Sequence, residues 1–177
     1  RVLKTWGFRV LGIENLLSHP KSIIIAAPHT SNWDFILGVL IRTAYKLTHI
    51  KYLGKSSLFK WPWGVIFRYL GGYPVERSKK SNLVDQVVHI FNKEKRFAIV
   101  IAPEGTRKKV EHFRTGFYYM AKGANVPIIL CKFDWANRIV DFSTSFFPGT
   151  DAKQDITYIE SFYVGIIGKD PKNSFGV

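Results

Sequence analysis

Two apolar runs in this chain end in the same way. Ile23-Ile24-Ile25-Ala26-Ala27 stops at Pro28 and leads into His29, and Phe97-Ala98-Ile99-Val100-Ile101-Ala102 stops at Pro103 and leads into Glu104. Both are β-branched, free of charge and too short for helices, so they read as strands buried on both faces, as in a parallel sheet. Proline lacks the N–H that would continue the ladder, so each strand ends where a titratable side chain begins. The carboxyl ends of strands are where open α/β sheets bind ligands. If the two strands are parallel neighbours, His29 and the Glu104-Gly105-Thr106-Arg107 turn emerge at one edge.

The remaining pattern fits such a sheet. Residues 1–20 read as a short surface helix and a turn, and residues 22–27 as the first buried strand. Asp34 to Leu47 is apolar on almost every face, which predicts a buried helix. A short strand falls within His49 to Gly54, and Gly71 to Arg77 is a turn into an extended segment. Leu83, Val84, Val87, Val88 and Phe91 have helical spacing, with Ser78 or Ser81 as cap. A helix from Thr115 to Lys122 is stopped by Gly123. Pro127 to Lys132 is a further strand, and Ile139 to Phe147 holds one or two more. Gln154 to Val164 reads as a helix and Gly168 to Val177 as a polar tail. Alternating strands and helices predict one α/β domain over residues 1–177, with a mixed, mostly parallel sheet flanked by helices.

Charge narrows the partners. Lys+Arg 26 against Asp+Glu 13 gives +13, which suits nucleic acid, an anionic membrane, a phosphorylated substrate or an acidic carrier. The basic residues are scattered, with no Lys/Arg-rich tract, which argues against a nucleic-acid-binding module. The single cysteine, Cys131, fits a reducing compartment and sits in an apolar run as a buried thiol. No run approaches the ~18 apolar residues of a spanning helix, so membrane contact is expected to be peripheral, at the cytoplasmic face.

His29 and Asp34 are the candidate catalytic pair. An imidazole is a ready general base near neutral pH once a carboxylate fixes its tautomer, and five positions across a turn bring the two side chains together. Asp34 alone is equally an ordinary helix cap. With no serine or cysteine placed as nucleophile, the pair favours direct attack by an activated substrate hydroxyl. Gly105 lets the backbone approach a ligand, and the Arg107 guanidinium suits phosphate oxygens. Lys55 and Arg77 are further candidate cations. A phosphate-ester hydrolase would need an acidic metal cluster, and none is visible.

Taken together, four ordered segments resemble the lysophospholipid acyltransferase family, which includes the 1-acylglycerol-3-phosphate acyltransferases. His29-Thr30-Ser31-Asn32-Trp33-Asp34 is similar to its His-x4-Asp block, and Gly72-Tyr73-Pro74-Val75-Glu76-Arg77 to its second. Glu104-Gly105-Thr106-Arg107 reproduces the third, and Val126-Pro127-Ile128-Ile129 looks like the fourth. The blocks lie within about residues 20–135. The resemblance implies a glycerolipid acyltransferase-like fold and transfer of a fatty acyl group from acyl-CoA or acyl carrier protein to a lyso-lipid hydroxyl. No metal or redox cofactor is implied. His29 would be the base and Asp34 its partner, while Arg77, Lys55, Glu104, Gly105, Thr106 and Arg107 would bind the acceptor head. Pro127 would lie near the acyl chain. The second block departs from the pattern at Pro-Val-Glu-Arg, which leaves both lysophosphatidic acid and an amino-acid lyso-lipid open as acceptor.

Such an enzyme needs a docking surface. Ser56 to Leu70 offers Trp61 and Trp63 as interfacial anchors, with Lys55, Lys60 and Arg68 for lipid phosphates. The same aromatics would serve equally as a cover for the core.

Overall fold

The β-branched runs pair side by side. The computed structural model describes residues 2–76 and 83–177. The strands are β1 (Arg9–Leu11), β2 (Lys21–Ala27), β3 (Ile50–Lys55), β4 (Gly72–Val75), β5 (Phe97–Ile101), β6 (Ile128–Asp134) and β7 (Ile139–Phe142). They form one sheet in the order β1-β7-β6-β2-β5-β3-β4. β2 sits between β5 and β6 and is parallel to both, with Ile25 opposite Ile101 and Leu130. β3 and β4 continue the parallel set, while β7 runs antiparallel to β6 and carries β1 beside it. Both Ala-Pro strand ends therefore leave one edge, as their shared pattern predicts.

Alternation along the strands divides the core. Ile23, Ile25 and Ala27 face one way, against Val87 and Phe91 of α4 (Leu83–Lys93), Phe117 and Tyr118 of α5 (Gly116–Ala124), and Ile159 and Tyr163 of α6 (Ala152–Tyr163). Ile24 and Ala26 face the other way, against Leu37 and Ile41 of α2 (Asn32–Ala44). Tyr163 ties the layers together, donating its hydroxyl to the Ile25 carbonyl at 2.6 Å and accepting from the Cys131 N–H at 3.2 Å.

Several expectations need correction. The first twenty residues hold not only α1 (Val2–Thr5) but strand β1 and a 3-10 turn at Ile13–Leu17, because β1 is too short to leave a periodic signal. α2 begins at Asn32 and is not buried all round, since Trp33, Phe35, Ile36 and Tyr45 are exposed. α5 continues through Gly123, where the absent side chain admits Val88 of α4, and ends at Asn125 with φ 51°. The C-terminal stretch is not a free tail: Ser174 and Phe175 are buried, with the Phe175 ring 4.3 Å from that of Phe113. The proposed caps Ser78 and Ser81 lie outside the described residues.

Between β3 and β4 the chain makes a 3-10 turn (Ser56–Phe59) and α3 (Gly64–Tyr69). Phe59 is buried in a socket of glycines. A Cβ at Gly54 or Gly72 would meet its ring at 2.7 Å, and one at Gly64 its carbonyl oxygen at 2.1 Å. Around this plug Leu58, Trp61, Trp63, Val65, Ile66 and Tyr69 point outward, Trp61 87% and Trp63 67% exposed, so these aromatics do not cover the core.

Candidate active site

The turn after β2 builds the site. Ser31 caps α2 and Asp34 is its third residue, the two forming a capping box in which the Ser31 side chain accepts from the Trp33 N–H and Asp34 accepts from the Ser31 N–H. The helix-cap reading and the catalytic reading of Asp34 therefore hold together. Its Oδ2 accepts from the backbone N–H groups of Thr30 and Ser31, each at 2.8 Å, and lies 3.2 Å from His29 Nδ1. Because the carboxylate has no proton to give, Nδ1 donates and Nε2 is left as the acceptor. Asp34 is 1% exposed, whereas His29 is half-buried and reaches the surface.

β5 supplies the second half. Glu104 is 4% exposed and its Oε1 accepts the His29 backbone N–H at 2.8 Å, so it holds the turn that carries His29 instead of reaching into solvent. Its Oε2 is buried without a hydrogen-bond partner. Burial pushes the Glu104 carboxyl above its ordinary value, against the lowering effect of the His29 N–H. Gly105 has φ +63°, and any Cβ there would lie 2.6 Å from Arg114 Nε, so glycine serves the turn and makes room for that side chain. Thr106 Oγ1 accepts from the Lys108 N–H within the turn, and Arg107 Nη1 donates to Asn32 Oδ1.

His29, Asp34, Gly105, Thr106 and Arg107 line one cleft of about 770 Å³, within the range of small-molecule sites, about 300–1,000 Å³. It runs from this polar edge to apolar residues beneath α2, among them Ile24, Val39, Ile41 and Ile50. Gly38 faces it with open space where a side chain would stand.

Other expected residues are not all gathered here. Lys55 is exposed at the carboxyl end of β3, on the same edge but outside the cleft lining. Pro127 precedes β6 and its carbonyl accepts from the Ile23 N–H, so it lies at the amino end of the sheet, away from His29. Trp61 and Trp63 stand out from α3 and its approach, and Arg77 lies outside the described residues. Among the described residues no three His, Cys, Asp or Glu side chains are grouped to hold a metal ion, and no helix is long and apolar enough to cross a membrane.

Two residues escaped the sequence. Arg114 lines the cleft beside Gly105, and Trp135 donates its indole N–H to Asp34 Oδ1 at 2.7 Å. Arg114 could have been suspected from the basic cluster after Arg107. Trp135 had no local signal, since 101 positions separate it from Asp34.

The buried Glu104 gives a pH test. A carboxyl raised in the folded state contributes stability that is full below its unfolded value and is lost as pH rises through the folded one. Glu104→Gln keeps an acceptor for the His29 N–H without that penalty. Its stability relative to wild type should therefore rise as pH is raised from about 4 through neutrality in urea titrations. A constant difference across that window would contradict the buried, raised carboxyl.

A solved structure shares this fold: the crystal structure of the 1-acyl-sn-glycerophosphate (LPA) acyltransferase PlsC from Thermotoga maritima. The TM-score is 0.60 at 18% sequence identity, with 92% of this chain and 72% of that chain covered. No curated protein matches. The model of the Acyltransferase family matches residues 7–133, a span that holds the His29–Asp34 pair and the Glu104–Arg107 turn. The chain belongs to the acyltransferase family and is an O-acyltransferase.

Proposed function

We propose that this enzyme transfers a fatty acyl group from a thioester donor, acyl-CoA or acyl carrier protein, to the hydroxyl of a lyso-lipid at a membrane surface. The observation that carries this reading is the His29–Asp34 pair, 3.2 Å apart, at the polar mouth of a cleft with an apolar interior. His29 Nε2 takes the proton of the acceptor hydroxyl as its oxygen attacks the thioester carbonyl, and Asp34 stabilises the imidazolium formed. Collapse of the tetrahedral intermediate breaks the carbon–sulfur bond, and the imidazolium returns the proton to the leaving thiolate. Ser31 is occupied in the helix cap, which favours this direct route over an acyl-enzyme.

Arg107 faces the cleft with its guanidinium against the neutral Asn32 amide, so its charge remains free for an anionic head group. Lys55 and Arg77 are the further cations proposed for that role. The apolar reach beneath α2 suits a hydrocarbon chain. The outward aromatics around α3, with Lys60 and Arg68 exposed among them, suit a peripheral docking surface. The buried thiol of Cys131 fits the cytoplasmic face.

The central test is consumption of acyl-CoA or acyl carrier thioester with a panel of phosphorylated and amino-acid lyso-lipids. His29→Ala is expected to lose activity by about 10²–10⁴-fold, the range for removal of a general base. A folded wild type that consumes no donor with any acceptor would overturn the reading. Gly38→Leu fills the apolar arm while improving helix propensity by up to about 1 kcal/mol. It should raise KM for long-chain donors and spare short ones, and equal effects on both would remove the cleft as the acyl site. Trp61→Ala combined with Trp63→Ala should weaken co-sedimentation with anionic vesicles about tenfold, roughly 1.4 kcal/mol, with thermal stability retained. Unchanged co-sedimentation would refute docking by this surface.

A further inference from the structure

Asp34 has two oxygens, and they are held from different parts of the chain. Oδ2 is fully engaged by its own turn, with the Thr30 and Ser31 amides and the His29 ring around it. Oδ1 receives the Trp135 indole N–H at 2.7 Å. In a residue 1% exposed, an oxygen without a donor would be costly, and a carboxylate held at one oxygen is free to rotate away from the imidazole it must orient.

Trp135 is itself fixed on several sides. Its ring meets Phe8 edge-on at 5.0 Å and Trp6 at 6.3 Å, and its backbone N–H donates to the Ile167 carbonyl at 2.9 Å. The Lys169 ammonium lies 5.0 Å over the ring, where a cation draws density from the indole and strengthens its N–H as a donor. The same C-terminal segment braces the catalytic turn, the Asp170 N–H donating to Thr30 Oγ1 at 3.0 Å. Trp135, Ile167, Lys169 and Asp170 all lie beyond the 7–133 span that matches the family, whereas Phe8 and Thr30 lie within it.

We infer that Trp135 is a positioning residue for acyl transfer: its indole N–H locks the Asp34 carboxylate against His29, and it is supplied by the chain beyond the family-matched span. The inference rests on the proposed role of His29 as base. Trp135 touches neither substrate nor the reacting atoms in this scheme and acts through Asp34 alone.

Trp135→Phe keeps a smaller aromatic ring for Phe8 and Trp6 and removes the donor. With acyl thioester and the best lyso-lipid of the panel, kcat should fall by about 10–100-fold, as when a partner that orients a catalytic ligand is lost. KM for both substrates should stay within about twofold, because no binding contact is removed. The acid limb of the kcat/KM profile should move to lower pH, since a carboxylate that turns away from the imidazole no longer stabilises its protonated form. A folded variant with wild-type kcat and pH profile overturns the inference while leaving the acyltransferase reading intact. A wild type without acyl transfer overturns both. A second measurement is independent of turnover. The Trp135 indole N–H resonance, assigned by its loss in Trp135→Phe, should lie downfield in wild type and move upfield in Asp34→Asn. A resonance indifferent to Asp34→Asn also overturns the inference.

Discussion

The parallel pairing of β2 with β5 is the constraint on which the site depends. It places two strand ends next to each other, and both ends are cut short by proline before their polar residues. The bond from the His29 N–H to Glu104 is the consequence at the edge. A side chain from one strand thereby fixes the backbone of the other. A shift of one residue in register would turn Ile23 and Ile25 to the wrong face as well as break this bond. Core packing and the His29–Glu104 contact are thus protected by the same register.

The two buried acids of the site work in different ways. Asp34 accepts from three N–H donors besides the imidazole, so both of its oxygens are engaged. Glu104 has one oxygen engaged and one without a partner, in a setting that favours its protonated form. One carboxyl meets the His29 ring, and the other holds the turn that carries it. Glu104, which the sequence resemblance implied for the acceptor head group, is buried with one oxygen on the His29 N–H.

Much of the frame was legible in the chain. Uninterrupted β-branched runs announced β2, β5 and β6, and turn chemistry announced where they stop. The His-x4-Asp segment and the Glu-Gly-Thr-Arg turn were expected at one edge, and the parallel pairing of β2 and β5 brings them there. What could not be read is what hydrophobic patterning does not encode. α2 looked buried because it is apolar on most faces, yet Phe35 and Ile36 remain exposed beside the cleft. The amino-end position of Pro127 follows from strand direction, which composition does not carry. Trp135 belongs to the turn between β6 and β7 and meets Asp34 only after the whole sheet has assembled.

The glycine socket around Phe59 separates two jobs that are often entangled. One inward ring, gripped by Gly54, Gly64 and Gly72, secures the projection between β3 and β4. The side chains around it owe nothing to the core. Change in Trp61, Trp63, Val65 or Tyr69 is therefore tolerated by the fold, whereas a methyl group added at any of the three glycines is not. The projection behaves as an interchangeable fitting: its outward face can change without reopening the question of how the chain folds.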